Sequence, residues 1–589
     1  MMIFQSRHLI ACVAAVGFSL FAGFAQAQST PAAFDLRSVT VGSSTQAWVP
    51  TIQNQGTAED CWTFATATAI ESNLLKDGLL AGSSTPPAMQ ISSWHLSTHN
   101  GAPDQLLAVD AFSNTNSNWG GDMYQALGYL TRGSGAWQIP NAPHGADADK
   151  FIQVMSGGPV LVSQDPLNVF PESIATWSPQ SPTNPNGYPP NLSPLIPPPN
   201  QPAAFKVTGM TFYDQGFSNN VALPAVSGNV TIGSGSNAVT YDTYVFDQGA
   251  SDPQVAVIKA AMQANGAVTT YMNANGDFHT ITGPTVNTIN YFNGRAATAY
   301  SDHAVTIIGW DDNYTMVDPK TSISSTGAWL VQNSWGTTEW NNSDGTFWAS
   351  YNDAVIGRSG VTTIELDSMD SYSQTVIQNE LGPMDYSGNY EAVYGGAPAG
   401  IGAATGMATS KESVAASVLT PTENGTLIAL GLGTQISGVQ VEVEIYDSWS
   451  AGPANLLSQQ TFMLNGIGYY QVDLAQAISL TAMDSFVVQL SYLDPLTGLG
   501  IEDALPITIG GSGINGYADV TSGLSYTLDG TAWTDLATKT FTGGSPEMHG
   551  GILFVKGITA VPEPSTWILL LVTAGVIVRA YRSRRAVTR

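Results

Sequence analysis

The chain has 589 residues, of which 43% are hydrophobic, enough for several cores. It carries 18 Lys or Arg against 45 Asp or Glu, a formal net charge of −27, and a surface of that sign repels nucleic acid and anionic lipid. Its two cysteines, Cys12 and Cys61, are too few for a disulfide framework.

Residues 1–27 place Arg7 and His8 before the apolar run Leu9–Phe24 and end Ala25-Gln26-Ala27, the pattern of a secretory leader cut after Ala27. Cys12 is expected to leave with it, so Cys61 becomes the single thiol of an exported protein. Setting aside both chain ends removes six arginines and one glutamate and leaves 12 basic against 44 acidic residues. Asp60 followed by Cys61-Trp62-Thr63-Phe64-Ala65 predicts a helix: an N-cap aspartate, Lys76 in the last turn and Gly78 as the stop. Cys61 then sits at a helix N-terminus, where the partial positive charge favours thiolate. His95 and His99 stand four apart, but the glutamate of a metalloprotease motif is missing. Neither metal nor any other cofactor is implied, and no phosphate loop or dinucleotide fingerprint occurs. Ser178 to Pro202 is rich in Pro, Asn and Ser and reads as an insertion, either a linker or a lid. A helical run is expected near Asp252 to Asn265. Asp302-His303-Ala304-Val305-Thr306-Ile307-Ile308 predicts a buried strand that begins at its histidine, and Trp329-Leu330-Val331-Gln332-Asn333 another that ends on an asparagine. A thiol, an imidazole and a side-chain amide to orient it are the parts of a cysteine nucleophile site.

These segments resemble the active-site motifs of the papain family of cysteine peptidases, in the family's order Gln, Cys, His, Asn. Gln55 stands six positions before Cys61, Trp62 follows the nucleophile, Asp302 precedes His303, and Asn333-Ser334-Trp335-Gly336 matches the asparagine motif. The resemblance implies a two-lobe α+β domain over residues 34–365, with a helical lobe and a β-barrel-like lobe. It implies Cys61 as nucleophile, His303 as acid and base, Asn333 to orient the imidazole under the shield of Trp335, and Gln55 with the Cys61 N–H as oxyanion hole. Asn118-Trp119-Gly120-Gly121-Asp122-Met123-Tyr124 resembles the family's substrate strip, with Gly120, Gly121, Asp122 and Met123 as substrate-binding residues. The chain departs from the family at Ala58-Glu59-Asp60, which stands where Cys-Gly-Ser is usual and puts two carboxylates near the thiol. Only Gln28–Ala33 separates the leader from Phe34-Asp35-Leu36-Arg37, which looks like the start of the mature enzyme, so no inhibitory propeptide is expected.

From about 370 to 558 the pattern turns to period two. Val439, Val441, Val443 and Ile445 alternate with polar neighbours, and Asn465-Gly466 and Asp529-Gly530 mark turns. An all-β sandwich is expected; its place after a papain-like domain resembles bacterial surface peptidases with a lectin-like module. It is either a spacer or a binder of extracellular polysaccharide. Residues 561–589 close the chain with Pro562-Glu563-Pro564, the apolar run Trp567–Val578 and then Arg579, Arg582, Arg584 and Arg585. Arginines after an apolar run place the C-terminus in the cytoplasm. The pattern resembles the PEP-CTERM sorting signal of Gram-negative bacteria, which implies an exosortase-type sorting enzyme as partner and membrane tethering before sorting; the alternative is a plain single-span anchor, a short transmembrane segment. The expected function is a secreted, cell-envelope-associated cysteine endopeptidase acting on peptide or protein substrates. The alternative is a surface adhesin or carbohydrate-binding protein on a degenerate peptidase scaffold.

Overall fold

The computed structural model describes residues 30–55, 61–91, 93, 96, 123–131, 205–213, 226–232, 239–244, 249–274, 276–283, 287–292, 302–319, 322, 324–337, 343–353, 355–368, 374–377, 412–434, 436–501, 505–509, 521–541 and 548–560. The expected leader, the proline-rich insertion, His95 and His99, Glu59 and Asp60, the residues Gly120, Gly121 and Asp122, and the C-terminal segment lie outside them. Among the described residues no helix is long and apolar enough to cross a membrane.

Helix α1, Cys61–Lys76, begins at the cysteine and is buried from Trp62 to Leu75. Alanine and threonine make up most of the stretch Thr63–Ala69, where their small side chains let neighbours approach closely, and burial on all faces makes the helix central and not amphipathic. Its polar residues tie it to the strand Thr362–Ser368 and to the end of the neighbouring helix Pro253–Asn265. Asn73 Oδ1 accepts from the Leu366 N–H (2.9 Å), its Nδ2 donates to the Asn265 carbonyl (3.2 Å), and Ser72 Oγ accepts from the Ala267 N–H (2.8 Å). Helix α2, Met123–Thr131, packs beside α1. Helix α3, Pro253–Asn265, starts as the sequence leads one to expect: Asp252 accepts from the Gln254 N–H (2.9 Å), with proline at the first helical turn.

Among the described residues the large sheet has 13 strands. One half runs from Phe205–Phe212 through Thr362–Ser368, Val268–Met272, His303–Val317, Ser324–Gln332, Thr346–Ser350 and Thr288–Phe292 to Asp277–Ile281. The N-terminal strand Ala33–Asp35 pairs with His303–Val317. Trp310 Nε1 donates to the Pro31 carbonyl (2.9 Å), so the chain is integral to the fold from its first described residues.

The β lobe and the sandwich expected after it share one sheet, a continuity the sequence expectation left open. The same sheet continues through Ile467–Leu480, Gly425–Thr434 and Val555–Ala560 to Gln374–Ile377, which are strands of the C-terminal region. The junction is Ile467–Tyr470 paired antiparallel with Gly209–Phe212. Gly209–Phe212 would otherwise present unpaired N–H and C=O groups at an edge, and the C-terminal strand pairs with them. At Gly468 (φ +142°) an added Cβ would sit 1.9 Å from the Met210 carbonyl oxygen, so glycine is required for the strands to meet. Tyr469 and Phe554 of the C-terminal region share one apolar core with Phe205, Met210 and the residues of α1 and α2.

A second sheet of six strands completes the sandwich, in the order Pro453–Leu464, Val439–Trp449, Phe486–Leu493, Val414–Leu419, Ser525–Asp529, Ala532–Asp535. Val439, Val441, Val443 and Ile445 face inward, as their alternation predicts. They meet Leu427, Leu430, Leu432 and Val555 of the large sheet across a common core.

Candidate active site

Three elements converge where α1 begins. Cys61, half-buried, is the first residue of the helix, and its Sγ accepts from the Ala304 N–H (3.3 Å). Ala304 follows His303 on a strand that the histidine opens and that pairs His303 with Met272. Asn333 follows the last residue of the neighbouring strand. His303 and Asn333 are 5% and 3% exposed, and His303 Nε2 lies 2.8 Å from Asn333 Oδ1.

The proton on this contact can be assigned. Asn333 Oδ1 also accepts from the Ser334 backbone N–H (2.8 Å), which fixes it as the oxygen of the amide. His303 Nε2 must then carry the hydrogen, leaving Nδ1 as the nitrogen for chemistry with the thiol. Trp335 stacks on the imidazole with centroids 4.7 Å apart and planes at 25°, and Phe278 abuts Trp335 at 5.9 Å. Burial pulls the His303 pKa below the usual imidazole range; the bond to Asn333 and the charge of Asp302 push it back up. Asp302 is itself held: its carboxylate accepts from the Ala274 N–H (2.6 Å). An imidazolium in so dry a place needs an anion beside it.

Gln55 reaches the site through the segment Gln53–Gln55, which pairs with the asparagine motif. The Gln55 N–H donates to the Ser334 carbonyl (2.7 Å), and the Gly336 N–H to the Gln53 carbonyl (2.9 Å). Ser334 Oγ donates to Gln55 Oε1. With its carbonyl oxygen held there, Gln55 presents NH₂ as its donor end. This serine stands inside the motif that the sequence offered, and the cross-lobe bond to Gln55 is the role that sequence reasoning missed.

Trp62 is a core residue, 2% exposed. Met123 opens α2 and is 1% exposed; Thr66 Oγ1 lies 3.5 Å from its Sδ, and its N–H donates to Tyr271 Oη (3.3 Å). Tyr271, opposite Ala304 on the neighbouring strand, is thereby a second neighbour of the site that carried no sequence signal. Gly120, Gly121 and Asp122 lie outside the described residues. Among the described residues there is no group of His, Cys, Asp and Glu able to hold a metal ion.

Residues 228–365 match the family model of the papain family cysteine protease, and residues 393–544 that of a lectin-like domain. The fold is similar to the crystal structure of the cysteine protease and lectin-like domains of Cwp84, a surface layer associated protein of Clostridium difficile. That likeness has 18% identity over 90% of this chain and 89% of that one, with a TM-score of 0.52. It is also similar to clostridial Cwp84 after propeptide cleavage, at 19% identity over 87% of this chain and 97% of that one, with a TM-score of 0.53. None of the curated proteins compared matches the chain.

Proposed function

Since this chain carries a papain-family cysteine protease domain and a lectin-like domain, we propose that it is an exported, cell-envelope-associated cysteine endopeptidase working through Cys61, His303, Asn333 and Gln55. The observation that carries this is the arrangement of His303 Nε2 at 2.8 Å from Asn333 Oδ1, with Cys61 Sγ against the amide of the next residue, Ala304.

Cys61 thiolate supplies the anion that lets buried His303 hold its second proton, and the start of α1 favours the same charge state. The thiolate attacks the peptide carbonyl, and the oxyanion is met by Gln55 Nε2–H and the N–H of Cys61; the first N–H groups of a helix have no acceptor within it. His303 gives its proton to the leaving amine, and Cys61 retains the acyl group as a thioester. Water then enters, His303 takes its proton, and hydroxide attack releases the acid and regenerates the thiolate. Asn333 keeps the ring in register throughout, and Trp335 keeps water from the bond that does so.

The lectin-like domain is the part suited to hold extracellular polysaccharide, and the residues from Pro562 onward are proposed as a sorting signal for an exosortase-type enzyme, resting on Pro562-Glu563-Pro564, the apolar run and the arginines. Digestion of casein by the full chain, lost in Cys61→Ala with an unchanged melting temperature, tests the catalytic reading. Equal digestion by both proteins would refute it.

A further inference from the structure

Asn333 uses one end of its amide fully. Oδ1 takes two hydrogen bonds, from His303 and from the Ser334 N–H. Nδ2, on a side chain 3% exposed, has no hydrogen-bond partner among the described residues. A buried amide donor left unmade costs on the order of 1–3 kcal/mol, so such an atom calls for a partner. Asn333 also lines a small cavity behind the catalytic residues, together with Gln53, Thr68, Thr306 and Gln332. Its lining is more polar than apolar and it has room for about one water molecule.

The origin of that lining is what gives the cavity meaning. Thr68 lies on α1, seven residues and so about two turns beyond Cys61. Thr306 lies on the strand that begins at His303, and Gln332 immediately precedes Asn333. Gln53 belongs to the segment that positions Gln55. Every element that delivers a residue to the proposed catalytic site therefore contributes a polar residue to the lining of this one space, beside apolar Phe64 and Val305. The side-chain bonds of Gln53, Thr306 and Gln332 go to backbone carbonyls and not to one another: Gln53 Nε2 donates to Thr51 at 3.0 Å, while Thr306 Oγ1 to Ala65 and Gln332 Nε2 to Pro50, both 3.4 Å, are near the limit for a hydrogen bond. Gln332 thus turns its donor end elsewhere and keeps a carbonyl oxygen to accept with.

We propose that this cavity binds a structural water which accepts from Asn333 Nδ2, donates to oxygen atoms among Thr68, Thr306 and Gln332, and so positions Asn333 and with it the imidazole. The water takes no part in bond making. Thr68 is a positioning residue that acts through the water.

The inference rests on the catalytic reading of Asn333 but is tested apart from it. A crystal structure of the full chain, at a resolution that orders internal water, should show a density peak within about 3.2 Å of Asn333 Nδ2. The variant Thr68→Val keeps the volume and removes the hydroxyl; it should lower kcat on a peptide substrate by about threefold to tenfold, the worth of one hydrogen bond, with KM unchanged. Thr68→Ser, which restores the hydroxyl, should return kcat toward the wild-type value. A dry cavity in the wild-type crystal overturns the proposal, as does wild-type kcat in a folded Thr68→Val. If Thr68→Val does not fold, the crystal decides alone. An inactive wild-type protein with the water in place would sink the catalytic reading while leaving the water site standing.

Discussion

Glu71 offers the most quantitative test of the fold around the proposed active site. It sits on α1 ten residues after Cys61 and is fully buried. Its Oε2 accepts from the Gln90 N–H (2.6 Å) and the Ile91 N–H (3.0 Å), while Oε1 is buried with no hydrogen-bond partner among the described residues. Burial outweighs the two backbone bonds and raises the pKa from 4.5 to about 8. A folded state that keeps a proton the unfolded state has released binds more protons between those values, so its stability is full below about pH 4.5 and declines as pH rises toward 8. The whole shift of 3.5 units corresponds to about 5 kcal/mol at 1.36 kcal/mol per unit, most of it lost between pH 5 and pH 8. Glu71→Gln retains an acceptor for Gln90 and Ile91 and cannot ionise. Its urea unfolding midpoint should exceed that of the wild type at pH 8, and the free-energy gap between the two proteins should widen by about 3 kcal/mol from pH 5 to pH 8. The constant cost of an extra buried amide hydrogen shifts both ends equally and leaves the widening intact. Parallel pH profiles for the two proteins would show that Glu71 ionises freely in the folded state, and the burial argument would be wrong.

Iodoacetamide should alkylate Cys61 of the native wild type below pH 6 but should need higher pH in His303→Ala, because the imidazolium no longer steadies the thiolate; coincident profiles would remove the ion pair from the mechanism. Gln55→Ala should lower kcat by about 10²–10³ with little change in KM, and Ser334→Ala by about tenfold or less, since it frees the Gln55 amide without deleting it; equal losses would mean the serine does more than hold the glutamine. Gly468→Ala should cost roughly 3 kcal/mol in thermal unfolding, through its clash with the Met210 carbonyl. The control Gly438→Ala, at φ +70° with nothing within 4 Å of the added carbon, should cost about 1 kcal/mol; similar losses at both positions would show that the strand pairing tolerates a side chain.

The candidate site could be assembled from the sequence because its parts are local. The helix at Cys61, the strand that opens on His303 and the strand that closes before Asn333 are each announced by a few adjacent residues, as is the inward alternation of Val439 to Ile445. What escaped depends on pairings across long stretches of chain. Nothing near Ile467–Tyr470 signals that it will pair with Gly209–Phe212, more than 250 residues earlier. Gly466 reads as a turn residue, and the close approach required of Gly468 becomes visible only once Met210 lies opposite. Glu71 escaped for another reason: a glutamate in a helix ordinarily faces water, and its burial follows from the strands, helices and Gln90–Ile91 segment packed around α1. The bond from Ser334 to Gln55 likewise joins residues 279 positions apart.

The shared sheet joins the peptidase region and the lectin-like region by continuous backbone pairing. A linker would let the lectin-like region swing, and its hold on a surface would then raise the local concentration of substrate over a whole sphere of reach. Here the backbone runs hydrogen-bonded from the strand beside His303 to strands of the sandwich, with Tyr469 and Phe554 embedded in the same core as α1. Any polymer that the sandwich grips is therefore held at a fixed bearing and distance from the thiol. The molecule would work as a gauge, cutting chains that lie at one standoff from its foothold and passing over those nearer or farther away.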